Sequence, residues 1–176
     1  MQRNKVLLVD TKNNPLGVMD KMEAHQQGVL HRAFSIFIFN SAGQMLLQQR
    51  AAQKYHGAGL WTNACCSHPQ EGEDVKSSAL ERLSFEMGMQ CDIQEVFCML
   101  YHSPVENDLI EHEYDHIFIG FADSDPSPNS EEVQHTRWVD IPQLEQELQE
   151  HPERYTVWFR KALQDMLKEF RQLTSL

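Results

Sequence analysis

The sequence predicts one domain of the α/β (α+β) class, spanning residues 1–176, in which helices pack on a β-sheet. Residues 33–39, Ala-Phe-Ser-Ile-Phe-Ile-Phe, are β-branched and aromatic, which is typical of a core strand. Apolar residues recur at helical spacing in two later segments, at positions 75, 79, 80, 83 and 87 and at positions 159, 163, 166, 167 and 170. A chain of 176 residues is long enough to bury one core around these elements.

The other elements are predicted from turns and caps. Strands are expected at residues 5–9 and 18–22, around an Asn-Asn-Pro turn, and at 44–50, forming a hairpin with 33–39. Asp74 is expected to cap the first helix and Gly88 to end it. Strands at 92–101, 111–121 and 134–139 follow, with a loop at 102–108. A helix opened by Pro142 and a final helix at about 155–173 complete the chain.

Composition limits the classes of partner. The formal net charge of −11 argues against nucleic acid and anionic membranes, although a small anion can still bind a local basic cluster or a metal. The longest apolar runs are far shorter than the roughly 20 residues of a membrane helix. The apolar run at the N-terminus is too short for a signal peptide, and four cysteines without such a signal indicate reduced thiols in the cytoplasm.

Residues 61–69, Trp-Thr-Asn-Ala-Cys-Cys-Ser-His-Pro, are the most informative stretch. In an extended segment Cys66 and His68 share one face, and Cys65 lies on the other. An imidazole, or a metal that it holds, shifts the pKa of a nearby thiol. The alternative is two buried, inert cysteines and a surface histidine.

A group of histidines and glutamates predicts a metal site. Two glutamates two positions apart share a strand face, and that face is otherwise apolar, so they are costly to bury unless they are paired or hold a cation. Three imidazoles and two carboxylates suit a six-coordinate Zn, Mn, Fe or Co ion with one position open. The proposed ligands are His25, His31, His68, Glu111 and Glu113. His112 and His116, on the opposite face, are a rival pair.

Two groups of charged residues allow a simple surface interpretation. Arg50 and Lys54 precede a loop through His56, Gly57 and Gly59, and they are either solvated charge or a basic rim beside the Cys/His stretch. Arg82 and Glu86 are one helical turn apart, which by default is a weak surface ion pair.

Four motifs, in order, resemble type I isopentenyl-diphosphate isomerase of the Nudix superfamily. Residues 61–69 resemble the sequence around its catalytic cysteine, and Glu111-His112-Glu113 its Glu-x-Glu strand. Residues 24–25 and 30–34 resemble its metal-binding histidine segments, and residues 82–88 its version of the Nudix helix. The resemblance runs from about residue 4 into the last helix. Ser67 stands where the family often has glycine, and Cys65 adds a second thiol.

The resemblance implies a Nudix-type fold, with mixed β-sheets sandwiched by helices, and a function in isoprenoid biosynthesis. The family interconverts isopentenyl and dimethylallyl diphosphate through a carbocation, protonating one carbon and deprotonating another. It needs divalent metal and no redox cofactor. The implied partner is a small diphosphate substrate, with no nucleic acid or membrane, and the protein is either a monomer or a homodimer.

The resemblance also implies a role for individual residues. Cys66 and Glu113 are the two proton-transfer groups, Tyr101 lies near the acid, and the ring of Trp158 faces the cation. His25, His31, His68, Glu111 and Glu113 hold Mn²⁺, Zn²⁺ or Mg²⁺. Glu86 and the Cys66 carbonyl hold a Mg²⁺ on the diphosphate. The diphosphate-contacting bases are Lys21, Arg50, Lys54 and Arg82.

Two other functions fit part of the pattern. A Nudix pyrophosphohydrolase of nucleotide-type diphosphates needs a cluster of helix glutamates, but the second glutamate pair of its usual pattern reads Phe85-Glu86 here. A non-catalytic module that binds metal or diphosphate explains the histidines and leaves Cys66 without a role.

Overall fold

The computed structural model describes residues 3–175, and within that range the chain forms nine strands and four α-helices. A single 3₁₀ turn, Pro152–Arg154, leads into the last helix. The strands are β1 (Lys5–Val9), β2 (Pro15–Asp20), β3 (His31–Phe39), β4 (Met45–Arg50), β5 (Trp61–Thr62), β6 (Cys65–Ser67), β7 (Ile93–Pro104), β8 (Ile110–Phe121) and β9 (Val133–Val139). The helices are α1 (Lys21–Gln27), α2 (Val75–Met87), α3 (Ile141–Glu150) and α4 (Val157–Thr174).

The sheet is mixed, and β3 is its hub. One edge of β3 pairs in parallel with β8, from His31 opposite Glu113 to Phe39 opposite Phe121. Its other edge pairs antiparallel with β1, β6 and β4 in turn. β4 then continues to β5 and β9, and β8 to β7, all antiparallel. This mixed pairing places the start of β3 beside the start of β8.

Helices cover both faces of the sheet, because side chains alternate along β3. Phe37 and Phe39 are fully buried in a core with α3 and α4. Phe34, Ile36 and Ile38 are fully buried in a second core with α2. The predicted α/β (α+β) fold, a mixed sheet sandwiched by helices, is confirmed.

The first difference from the sequence-based expectation lies at the return strand predicted for residues 18–22. The strand ends at Asp20, whose carboxylate accepts the backbone N–H groups of Met22 and Glu23 and so caps α1. Residues 21 and 22 are therefore helical, and His25 lies one turn farther along the same helix. The cap thus decides where this histidine points.

The predicted hairpin of β3 with β4 is reduced to the single pair Phe39 and Met45. The adjoining part of that edge of β3 is occupied by β6, where Cys66 pairs with Ser35. The β7 strand also runs farther than expected, to Pro104, before a turn in which Asn107 and Asp108 adopt positive φ. Long-range pairing, rather than the local turn, thus sets these strand ends.

The remaining predicted elements are confirmed. Asp74 caps α2 through the Ser77 backbone N–H, and Gly88 ends it with a φ of 62°. No helix within residues 3–175 is both long enough and apolar enough to cross a membrane.

Candidate active site

Three histidines and two glutamates from four parts of the chain meet at one end of β3 and β8. His25 comes from α1, His31 begins β3, and His68 directly follows β6. Glu111 and Glu113 lie on one face of β8 because they are two residues apart. Sheet register places Glu113 directly beside His31.

The imidazole Nε2 atoms point at the two carboxylates. His25 Nε2 lies 3.4 Å from Glu111 Oε2. His31 Nε2 lies 3.6 Å and His68 Nε2 lies 2.9 Å from Glu113 Oε1. All five predicted metal ligands are therefore brought together.

Backbone carbonyls fix the tautomers of two of these histidines. The Nδ1–H of His25 donates to the Lys21 carbonyl at 2.7 Å, and that of His31 to the Val29 carbonyl at 2.8 Å. Each Nε2 therefore turns its lone pair toward the carboxylates, as a metal ligand requires. Both Nε2 atoms and Glu111 Oε2 are buried and have no hydrogen-bond partner among residues 3–175. Such unpaired buried atoms are costly, so the residues fit a bound divalent ion.

The electrostatics favour the ligand form of His68. Burial lowers its pKa to about 4, although contact with Glu113 opposes the shift. The imidazole is therefore neutral at pH 7, which is the form that binds metal. Burial and Glu111 raise the pKa of the Glu113 carboxyl, but His31 and His68 outweigh them and lower it overall.

Cys66 faces this centre, and Cys65 does not. The Cys66 thiol donates to Asn63 Oδ1 at 3.1 Å and accepts the indole N–H of Trp158 at 3.2 Å. Burial, helped by the negative charge of Asp115, raises the pKa of Cys66 to about 12, so the thiol is protonated at pH 7. Cys65 is fully buried in the core under α2. The prediction that the two thiols lie on opposite faces is confirmed.

Tyr101 reaches the other proposed proton-transfer group. Its hydroxyl donates to Glu113 Oε2 at 2.7 Å. Burial and the nearby Glu113 charge raise the pKa of Tyr101 well above its usual value, so the phenol stays protonated. Glu113 is thus held by Tyr101 on one oxygen and by His68 on the other.

A polar cavity of about 270 Å³ adjoins the centre. The four predicted diphosphate-contacting bases all line it: Lys21, Arg50, Lys54 and Arg82. Burial and the neighbouring charge of Lys54 lower the pKa of Lys21. Arg50 and Lys54 thus lie beside the Cys/His stretch, as the basic-rim interpretation expects, and Lys54 also pairs with Glu132 in the same cavity.

Glu86 lies in the same cavity and is 3% exposed. It accepts from Arg82 Nη2 at 2.6 Å and from Gln48 Nε2 at 3.1 Å. The expected weak surface pair of Arg82 and Glu86 is therefore a buried pair at the cavity wall. By contrast Glu81, on the same helix, has a side chain that is 68% exposed.

A second, narrow cavity of about 30 Å³ joins the first at Cys66, His68 and Arg50. Glu113 and Trp158 also line it. A small cavity next to a large basic one suits a short hydrocarbon attached to an anionic group.

The rival histidines do not form a site together. The His112 Nδ1–H donates to the Gly28 carbonyl at 2.9 Å. His116 instead accepts from the Asn13 amide at 3.2 Å and donates to Glu95 at 2.9 Å. Because Asn13 Oδ1 accepts from Arg32, the amide orientation is fixed, and Nδ1 of His116 carries the proton.

Several site residues were not predicted from the sequence. The sequence places His56 in a loop without marking it as a ligand, yet its Nε2 lies 2.5 Å from Glu111 Oε1. Asp115 is the next residue on the Glu111 and Glu113 face, a period-2 signal that the sequence does contain. Ser35 lies between Asp115 Oδ2, at 2.7 Å, and the Cys66 sulfur, at 3.6 Å, and only the pairing of β3 with β6 reveals it.

Comparison with known proteins agrees with this fold. Residues 29–160 match the NUDIX domain family, and the chain therefore belongs to it. DR0079 from Deinococcus radiodurans superposes with a TM-score of 0.69 at 14% identity, covering 84% of this chain and 90% of that one. A MutT protein from Methanosarcina mazei superposes with a TM-score of 0.65 at 17% identity, covering 81% and 96%.

Sequence relatives identify a more specific family within the NUDIX fold. An isopentenyl-diphosphate Delta-isomerase of Serratia proteamaculans is 50% identical over 161 residues, which is 92% of this chain and 90% of the relative. Isopentenyl-diphosphate Delta-isomerase 2 of Photorhabdus laumondii is 49% identical over 158 residues, 90% of this chain and 89% of the relative. Within the NUDIX fold, the chain is a member of the isopentenyl-diphosphate Delta-isomerase family.

Proposed function

We propose that this protein is an isopentenyl-diphosphate isomerase, interconverting isopentenyl and dimethylallyl diphosphate for isoprenoid biosynthesis. One observation carries the proposal: Cys66 and Glu113 line the same narrow cavity, and that cavity shares Cys66, His68 and Arg50 with the neighbouring basic one. Two proton-transfer groups flank the space for the hydrocarbon, and the bases flank the space for the diphosphate. The relatives' names point to the same reaction.

The reaction moves one double bond by two proton transfers. The alkene π electrons take a proton at the terminal carbon and leave a tertiary cation at the neighbouring carbon. A second group then removes a proton from the carbon on the other side, and that C–H electron pair forms the new double bond. Cys66 and Glu113 are the two groups, one on each face of the substrate.

Three features of the site would stabilise the carbocation or protect it from attack by water. The indole of Trp158 presents an aromatic face, which attracts positive charge. The Glu113 carboxylate supplies negative charge in a buried setting, where electrostatic stabilisation is strong. The narrow cavity, about 30 Å³, has room for about one water molecule, so a bound hydrocarbon would displace the water that could attack the cation.

Two cations complete the proposed site. His25, His31, His68, Glu111 and Glu113 hold Mn²⁺, Zn²⁺ or Mg²⁺, and imidazole nitrogens favour the transition metals. A metal held there would orient the Glu113 carboxyl group and shift its pKa. Glu86 and the Cys66 carbonyl would hold Mg²⁺ for the diphosphate, because oxygen ligands suit that ion.

The pyrophosphohydrolase alternative lacks its cluster of helix acids. Glu86 is the α2 carboxylate that lines the basic cavity, whereas Phe85 is 50% exposed at the place of the second acid of that pair. A non-catalytic binding module gives no reason for a protonated thiol and Glu113 to share one cavity.

The test is turnover by the metal-loaded protein. Isopentenyl diphosphate and a panel of nucleoside diphosphate compounds are supplied separately, with Mg²⁺ and Mn²⁺ present. We expect dimethylallyl diphosphate as the product and no phosphate-containing fragments from the nucleotides. Hydrolysis of nucleotides without isomerisation would establish the alternative, and binding without turnover would establish the module.

A further inference from the structure

His56 is buried against the metal centre, although neither its position nor its spacing singles it out in the sequence. It is 4% exposed, and its Nε2 lies 2.5 Å from Glu111 Oε1. Neither ring nitrogen of His56 has a hydrogen-bond partner within the described part of the chain. The close approach to Glu111 is therefore not an ordinary N–H···O hydrogen bond.

The same two features mark His25, which the family resemblance makes a ligand. His25 Nε2 also approaches a Glu111 oxygen, at 3.4 Å, and is also buried without a hydrogen bond in residues 3–175. Ligand atoms at right angles on an ion with bonds of about 2.1 Å lie about 3.0 Å apart. The distance from His56 Nε2 to Glu111, 2.5 Å, is shorter than this spacing, and the distance from His25 Nε2 to Glu111, 3.4 Å, is longer.

The potential ligand atoms fall into two overlapping groups. His25, His56 and Glu111 offer atoms within 4.8 Å of one another. The other group has the same spread and contains His25, His31, His68 and Glu113. His25 is common to both groups, and Glu111 falls in the group that contains His56. If Glu111 binds the ion, the position of His56 is equally suitable for binding that ion.

The surroundings of His56 hold its ring in place. The ring meets the Trp158 ring edge-on at 5.5 Å and the Tyr55 ring at 4.3 Å. Its backbone carbonyl accepts from Arg50 Nε and Nη2, at 3.3 and 3.0 Å. Gly57 follows with a φ of 59°, and a Cβ there would approach Arg50 Nε to 3.2 Å. The loop is therefore packed so that the imidazole faces Glu111.

We propose that His56 is a sixth protein ligand of the metal centre, bound through Nε2 beside Glu111. The inference rests on the metal centre of the proposed function and fills the position that five ligands leave open. With four imidazoles and two carboxylates the ion carries no bound water. A water-free ion keeps a nucleophile away from the carbocation, and the added nitrogen favours transition metals over Mg²⁺.

Water-proton relaxation of bound Mn²⁺ tests this directly. Metal-free, full-length protein receives less than one equivalent of Mn²⁺, and free Mn²⁺ is followed by electron paramagnetic resonance. We expect low relaxivity in the wild type, showing no exchangeable water on the ion. His56→Ala is expected to raise the Mn²⁺ Kd at least ~10-fold, as for loss of a metal-site residue, and to raise relaxivity by the increment of one water.

Two variants keep the test decisive. His56→Gln retains much of the volume and is used in place of alanine if circular dichroism shows that His56→Ala is unfolded. His135→Ala replaces an exposed histidine of β9 and should change neither the Kd nor the relaxivity. A bound water on wild-type Mn²⁺ overturns the proposal without any variant. A weaker Kd with unchanged relaxivity also overturns it, because His56 would then only position Glu111.

Isomerase turnover is measured on the same samples. Low wild-type relaxivity together with no turnover of isopentenyl diphosphate would reject the proposed function and leave the ligand assignment standing. Turnover together with a bound water would reject the ligand assignment alone.

Discussion

The indole Nε1 of Trp158 lies 3.2 Å from the sulfur of Cys66, although the two residues are 92 positions apart. The guanidinium carbon of Arg50 lies over the same ring, 5.2 Å from the ring centroid. Helix α4 thus contacts both the thiol that is proposed to move a proton and a base that is proposed to bind the diphosphate. The C-terminal helix is part of the site and not only of the core.

Trp158→Phe tests this contact by removing the N–H and keeping an aromatic face. We expect turnover to fall by about tenfold or less, the equivalent of one neutral hydrogen bond of about 1 kcal/mol. Trp158→Ala also removes the face that stabilises the cation, so its loss should exceed about 30-fold, or about 2 kcal/mol. Steady-state isomerase kinetics measure both, and equal losses would mean that the ring does not face the cation.

The two adjacent cysteines should behave differently. Cys66→Ala should lose proton transfer while still binding metal and diphosphate. Cys66→Ser should keep at most a trace of activity, because a hydroxyl is a far weaker acid than a thiol. Cys65→Ala should keep most activity and lower the free energy of unfolding by about 1 kcal/mol, as a small core truncation. Turnover is measured with folding checked by circular dichroism. An inactive Cys65→Ala beside an active Cys66→Ala would require rebuilding the site around Cys65.

Glu113→Gln removes the ionisable carboxyl group while nearly keeping its shape. Turnover should fall by the ~10²–10⁴-fold typical of a lost general acid or base. Glu95→Gln, on the neighbouring strand β7 and facing His116 outside the site, is the matched control and should leave turnover unchanged. Near-normal turnover of Glu113→Gln would remove this residue from the mechanism.

Glu86→Gln should act differently from Glu113→Gln, because Glu86 lines the basic cavity rather than the narrow one. Its main effect should be weaker binding of diphosphate and Mg²⁺. Part of the lost activity should therefore return at high Mg²⁺. Kinetics over a Mg²⁺ titration measure this, and a loss independent of Mg²⁺ would contradict the assignment.

Metal removal should abolish turnover, and Mn²⁺, Zn²⁺ or Mg²⁺ should restore some of it. Protonated imidazoles cannot bind, so affinity should fall as pH drops through the ordinary histidine range near about 6.5. Although burial opposes it, contact with Glu111 raises the pKa of His25, so the fall should begin on the high side of that range. Isothermal titration of Mn²⁺ between pH 8 and 5.5 measures this, and full activity after exhaustive chelation would disprove the site.

Stability should depend on pH through Glu147, which joins α3 to the start of α4. Its carboxylate accepts from Arg137 Nη2 at 2.5 Å and from the Tyr155 hydroxyl at 2.6 Å. The Arg137 bond comes first among the causes that lower the pKa of Glu147 from 4.5 to about 2. A lowered folded-state pKa stabilises fully above pH 4.5, and this contribution is lost as pH falls toward 2.

Glu147→Gln should therefore lower the free energy of unfolding at pH 7 by about 0.5–1 kcal/mol, the upper range for a partly exposed pair. The difference from wild type should shrink below pH 4.5. Urea unfolding from pH 7 to 3 measures it. Glu150→Gln, later on the same helix, is the control, and a gap that stays constant down to pH 3 would contradict the assigned ion pair.

The sequence by itself determined the strands and helices with a clear local signal. The apolar run at β3, the Asp74 cap and the Gly88 stop of α2 are encoded within a few residues of where they act. Period-2 alternation likewise determined that Cys66 and Cys65 face opposite ways. The motifs also identified the family, because their residue types and spacing can be recognised without knowing which residues contact one another.

Tertiary structure alone decided which distant groups meet. The parallel register of β3 with β8 brings His31 beside Glu113, and no local pattern specifies a pairing between residues so far apart. His56 lies in a loop without periodicity, so only packing against Trp158 and Arg50 turns its ring toward Glu111. Side chains on loops carry no repeating signal, and their direction is set by the neighbours that the fold supplies.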